Sequence, residues 1–147
     1  MIIKTHYGIF NSLLNKEIIK NQHITRLGKI FQDDLSPLFY KDASKATRFE
    51  HTFGVVHLAS LVKATEKEKK LLEYSALLHD IGLPCFGHIG ESVMQRVLEK
   101  DHEENALDII KNSEIKTILE EEGILEQIID IFNKRHYLTE LIFGSVD

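Results

Sequence analysis

The stretch that most constrains this chain is Leu77-Leu78-His79-Asp80-Ile81-Gly82-Leu83-Pro84-Cys85-Phe86-Gly87-His88-Ile89-Gly90-Glu91. It reads as the end of one helix, a break at Gly82 and Pro84, and a second helix starting after Gly87. Proline removes a backbone donor and cannot continue a helix. Two histidines and two carboxylates crowd a turn whose neighbours are otherwise apolar. Adjacent helical residues point about 100° apart, so His79 and Asp80 can bring one imidazole and one carboxylate to a single divalent cation.

The remainder has the size and make-up of one helical domain. A chain of 147 residues, 43% hydrophobic and 28% charged, can bury a substantial core. Two prolines, no tryptophan and an abundance of Leu, Ile, Glu and Lys favour an all-α fold. A net charge of -5 excludes a global basic field, so no nucleic-acid surface is expected and any phosphate contact must come from a local cluster or a metal. Cys85 is the only cysteine, which excludes an intrachain disulfide and fits a reducing compartment. Its expected role is a small buried hydrophobe. No apolar run approaches the roughly 20 residues of a membrane span, and Met1-Ile2-Ile3-Lys4 lacks the apolar core of a signal peptide. A cytoplasmic protein without membrane contact is the expectation.

Residues 1 to 10 are aromatic and β-branched and can be extended. Helical spacing then predicts helices over about 11–21 and 23–33, the second burying Ile24, Leu27, Ile30 and Phe31. Ser36-Pro37 signals a short helix start. In the helix over about 48–64, His51, Val55, Leu58 and Val62 share one face, so His51 points to the core, with Arg48 one turn earlier. Thr65-Glu66-Lys67-Glu68 is a capping box opening a helix with Leu72, Ala76 and His79 on one stripe. An amphipathic helix over 91–100 buries Val93, Val97 and Leu98, and Asp101 to Glu104 starts another. An acidic helix stops at Gly123. A buried helix follows through Ile128 and Phe132, and a last one spans about 134–143. No repeat or linker interrupts the pattern, so residues 1–147 read as a single domain.

Taken singly, most histidines have a plain explanation. His57 and His136 suit hydrogen-bonded core positions, and His6 and His23 suit exposed ones. Glu120-Glu121-Glu122 suits a solvated helix end. The set His51, His79, Asp80, His88, Glu91 and His102 is different. Three buried positions directing His, His and Asp inward cost desolvation, and one divalent metal compensates all three.

The motifs identify the chain as resembling the HD-domain superfamily of metal-dependent phosphohydrolases, an all-α helical bundle. Within it the chain resembles the deoxynucleoside triphosphate triphosphohydrolases. Thr47-Arg48-Phe49-Glu50-His51-Thr52-Phe53-Gly54-Val55 resembles the family's Thr-Arg-Phe-Glu-His-Ser-Leu-Gly-Val helix. Leu77 to Glu91 resembles its Leu-Leu-His-Asp-Ile-Gly-His-x-x-Phe-Gly-His-x-Gly-Glu stretch. Arg26-Leu27 with Gln32, and Asp101-His102-Glu103, complete the series in family order. The resemblance implies one divalent ion (Mn, Mg, Fe, Ni or Zn) on His51, His79 and Asp80. It implies Arg48 at a substrate phosphate, a task suited to a guanidinium fork, and His88, Glu91 and His102 as the catalytic proton-handling cluster. A nucleotide substrate and a homo-oligomer are implied in the same way.

Two departures stand out. Leu83 replaces the last histidine of His-Asp-Ile-Gly-His, removing a polar group near the phosphates. The family's Gly-x-x-Asp-x-Asp segment, which supplies a fourth metal ligand, is matched only by its beginning, Gly144 to Asp147. Asp147 is therefore a candidate metal ligand and Asp130 an alternative, and the chain reads as an N-terminal portion of the fold or a minimal version of it. The implied reaction is hydrolysis of a dNTP to deoxynucleoside and triphosphate. Open beside it are hydrolysis of monophosphates or other phosphoesters, and a non-catalytic module that binds metal or nucleotide.

Overall fold

In the computed structural model, which describes residues 1–5 and 7–144, the N-terminus is a hairpin and the rest is helical. Strands β1 (Ile2–Thr5) and β2 (Gly8–Asn11) pair antiparallel, with Ile3 opposite Phe10. Both of those side chains face the core. Helices α1 (Lys16–Lys20) and α2 (Gln22–Thr25) and a 3₁₀ turn (Arg26–Lys29) lead to the short α3 (Ser36–Phe39). The two long central helices, α4 (Arg48–Leu61) and α5 (Glu66–Leu78), pack on each other. Around them follow α6 (Gly87–Leu98), α7 (His102–Asn112), α8 (Glu114–Glu121), α9 (Leu125–Phe132) and α10 (Glu140–Phe143). The fold is all-α apart from the hairpin.

Local chemistry sets the principal boundaries. Thr47, Thr65 and Asp101 each cap a helix through reciprocal bonds with the glutamate three residues on, at Glu50, Glu68 and Glu104. Helix α5 is the centre of the core: Leu72, Tyr74, Ala76, Leu77 and Leu78 are all buried. Even Glu73 is buried, its carboxylate accepting from the Ser12 hydroxyl at 2.6 Å and the Leu13 amide at 2.8 Å. These bonds tie the hairpin to the bundle.

Several expectations are corrected. The helix expected over 23–33 ends at Thr25 and gives way to the 3₁₀ turn, because Gly28 and the bridge between Phe31 and Thr47 pull the chain extended. The buried face of α4 is Thr52, Phe53, Val56 and Ala59, and Leu58 is 67% exposed. That places His51 at the margin of the core rather than on its central stripe. On α6, Met94 is buried while Val93, Val97 and Leu98 are exposed, since α6 lies on the outside of the bundle. The last helix is only α10. Cys85 is exposed, lying in the turn and not in the core. His57 is half-buried and stacks on Phe10 at 4.7 Å, a packing role. His23, expected to be exposed, is half-buried, and Glu122, expected at a solvated helix end, pairs with Lys70 at 2.7 Å. His6 and Asp147 lie outside the described residues. No helix among the described residues is long and apolar enough to cross a membrane.

Candidate metal centre and active site

The turn after α5 is held from both sides. Arg26 donates to the carbonyls of Ile81 and Leu83, each at 2.6 Å, and Asn105 on α7 donates to the carbonyl of Gly82 at 2.7 Å. Three successive carbonyls are thereby captured by side chains from elements far apart in the chain. Gly82 also has to be glycine: a Cβ there would stand 1.9 Å from the His102 carbonyl oxygen and 2.4 Å from the Ala106 nitrogen. The turn consequently lies directly on the start of α7, and this brings His102 alongside the helix that begins at Gly87. Leu83 is fully buried.

On one side of this turn, ligand atoms of His51, His79 and Asp80 lie within 4.8 Å of one another. The His79 Nδ1 donates to the Ala76 carbonyl at 2.7 Å, which leaves its Nε2 as the nitrogen with a lone pair. Nε2 is 3.3 Å from Asp80 Oδ1. Burial, with smaller contributions from the neighbouring His79, Arg48 and His88, lowers the pKa of His51 despite the opposing pull of Asp80. His51 is thus held neutral at neutral pH, the form that ligates. Two neutral imidazoles and a carboxylate suit a divalent ion. The donor set fits the group implied by the sequence.

Asp80 is oriented from behind. Its Oδ2 is 3.4 Å from Arg48 Nη1, while Arg48 Nη2 donates to the Gln32 carbonyl at 3.1 Å and lies 3.5 Å from Asp34 Oδ1. Arg48 is only 4% exposed. Its Nε and the Gln32 side-chain oxygen are buried without hydrogen-bond partners among the described residues.

On the other side of the turn, Glu91 joins His88 and His102. One carboxylate oxygen accepts from His88 Nδ1 at 3.0 Å; the other accepts from His102 Nδ1 at 2.6 Å and from the His102 backbone N–H at 2.9 Å. The imidazoles meet edge to face, 5.6 Å apart. Burial raises the Glu91 pKa, but the hydrogen bonds from His88 and His102 outweigh it and bring the group to about 2. Glu91 is therefore ionised, each ring turns its Nδ1 toward it, and each Nε2 is left for other work. These three groups also lie close enough together to hold an ion.

The structure thus gathers His51, His79, Asp80 and Arg48 in one cluster and His88, Glu91 and His102 in another. Asp130 is exposed on α9 and is in neither. Sequence reasoning missed Asp34, Asn105 and the clamping by Arg26. Asp34 sits in an irregular loop with no periodicity to reveal it. Arg26 was visible only as part of a short matched segment. A cavity of about 700 Å³ between β1 and α4, lined by Ile3, Ile19, Phe49 and Phe53, contains none of the clustered histidines.

A helical bundle carrying a histidine on one helix and a His-Asp pair at the end of the next defines a class of metal-binding proteins. Residues 48–141 match the HD domain family, and the chain belongs to it. An uncharacterized protein of Methanocaldococcus jannaschii is 32% identical over 97% of this chain and 29% of its own length. A deoxyguanosinetriphosphate triphosphohydrolase-like protein of Rhizobium meliloti is 38% identical over 46% of this chain and 18% of its own length. A crystal structure of a phosphohydrolase from Bacteroides thetaiotaomicron superposes with a TM-score of 0.76 at 27% identity, over 100% of this chain and 39% of that one. The chain therefore spans less than half the length of each of these relatives.

Proposed function

We propose that this chain is a metal-dependent nucleotide phosphohydrolase, folded as one domain, with a divalent ion on His51, His79 and Asp80 and with Asp147 as a fourth ligand. The observation that carries this reading is the pair of clusters on either side of one turn, one set up for a cation and one for protons. A divalent ion held there supplies Lewis acidity toward a phosphoryl oxygen. Asp80, pinned by Arg48, keeps one oxygen for that ion and one for the guanidinium. His88 and His102 each hold a proton on Nδ1 against ionised Glu91, so Nε2 is the atom that takes a proton from water or gives one to the departing oxygen. The carboxylate steadies the imidazolium that forms in either case.

Similarity to deoxyguanosinetriphosphate triphosphohydrolase-like proteins supports release of triphosphate from a dNTP as the reaction. A second reading, hydrolysis of a monophosphate or another phosphoester, is favoured by one observation: Arg48 is already engaged by two aspartates. The test is turnover of a nucleotide panel with Mn²⁺ or Mg²⁺, with metal content measured alongside. Wild-type protein should bind metal and release phosphate or triphosphate, and Asp80→Ala should lose both properties. Stoichiometric metal with no turnover across the panel would overturn the enzyme reading in favour of a binding module.

A further inference from the structure

We infer that Asp34 is a specificity-determining residue, a built-in anion that disfavours polyphosphate substrates relative to singly phosphorylated ones. This rests on the reading of the site as a phosphohydrolase centre and deepens it.

Two donors suited to an oxyanion converge on Asp34 Oδ1. Arg48 Nη2 lies 3.5 Å away and the backbone N–H of His88, in the first turn of α6, donates at 3.1 Å. The N-cap of α6, Phe86, offers no side-chain acceptor. Asp34 therefore does from a distant loop what a capping residue normally does in place. The placement is closely built. Gly87, at φ +57°, approaches so near that a Cβ there would meet Asp34 Oδ1 at 1.8 Å. Asp34 itself has φ +50°, a left-handed conformation that aspartate and asparagine tolerate better than most residues.

Arg48 is a single cation shared by Asp34 and Asp80, so its charge is already met twice over. The Asp80 side chain is 4% exposed and that of Asp34 19%, so Asp34 is the more accessible of the two carboxylates. A phosphate using Arg48 or the α6 N-terminus must share those donors with the Asp34 carboxylate. Repulsion grows with each further phosphate, and an unfavourable charge built into a site is an ordinary route to discrimination. Asp34 lies outside the residues 48–141 that match the family.

The decisive variant is Asp34→Asn. It keeps an acceptor for the His88 N–H and the tolerance of positive φ, and removes only the charge. Two measurements apply. Calorimetry with inorganic triphosphate and with orthophosphate reads binding without turnover, and kcat/KM on dGTP and dGMP reads the reaction. We expect Asp34→Asn to bind triphosphate about tenfold more tightly, with orthophosphate changed much less, and to raise the dGTP to dGMP ratio of kcat/KM by a similar factor. Asp34→Gly, which accepts φ +50° without strain, stands in should the asparagine variant fail to fold. Unchanged selectivity in both measurements, or triphosphate binding by neither protein, overturns the inference. Altered triphosphate binding in a protein that turns over no nucleotide sustains it while the enzyme reading fails.

Discussion

Glu91 carries three hydrogen bonds on two oxygens, from two imidazoles and one peptide N–H. That concentration of donors brings its pKa to about 2, from an ordinary 4.5. A carboxyl whose folded pKa lies below its unfolded value stabilises the fold above the unfolded value, and that contribution is lost as pH falls through the folded one. Stability should therefore decline as pH drops from about 4.5 toward 2, and Glu91→Gln should flatten that part of the curve. Chemical denaturation of both proteins across the acid range checks this. If their profiles are parallel, the hydrogen bonds do not favour the ionised form. The pairing of His88 with Glu91 was legible from their spacing on a helix. The family motifs also placed His102 in this cluster, but that its imidazole would share the same carboxylate was not legible, since it depends on how closely α7 approaches.

That approach is set at the level of elements. Capping boxes made the starts of α5 and α7 readable from a few residues, because their bonds are local and reciprocal. The exposed face of α6 and the buried face of α4 were misjudged, because helical spacing says which residues share a stripe and not which stripe finds a partner. The contact between the turn and α7 is equally invisible in sequence, where Gly82 looks like a helix terminator. Its second role is to let two backbones touch. Gly82→Ala would set a methyl group against α7 main chain that cannot rotate away. A loss of about 1–3 kcal/mol is expected, together with a fall in turnover greater than any fall in metal content, since His102 and not His79 is displaced. Equal losses of metal and activity would point to general unfolding.

Across the whole molecule, the family was readable because its motifs are short and chemically particular. The route by which the chain assembles them was not. Contacts such as Arg26 with Ile81 and Leu83 join residues 55 and 57 positions apart, and no local pattern announces them. Residues 1 to 10 were legible as extended, but nothing in them hinted at a hairpin stitched to α5 through Glu73. The clamp on the turn by Arg26 couples the 3₁₀ turn to the cluster at the end of α5. A cation held as proposed by His79 and Asp80 would stabilise the turn, and whatever stabilises the turn also stabilises the segment that clamps it, by the reciprocity that governs any linked equilibria. Adding a divalent ion should therefore slow amide hydrogen exchange over residues 24–30, none of which belongs to the proposed ligand set. Arg26→Ala should abolish that protection and weaken the ion's binding by the same factor. Exchange there that ignores the ion would mean the clamp is slack. If the factors match, the 3₁₀ turn reports on the occupancy of a centre it never touches.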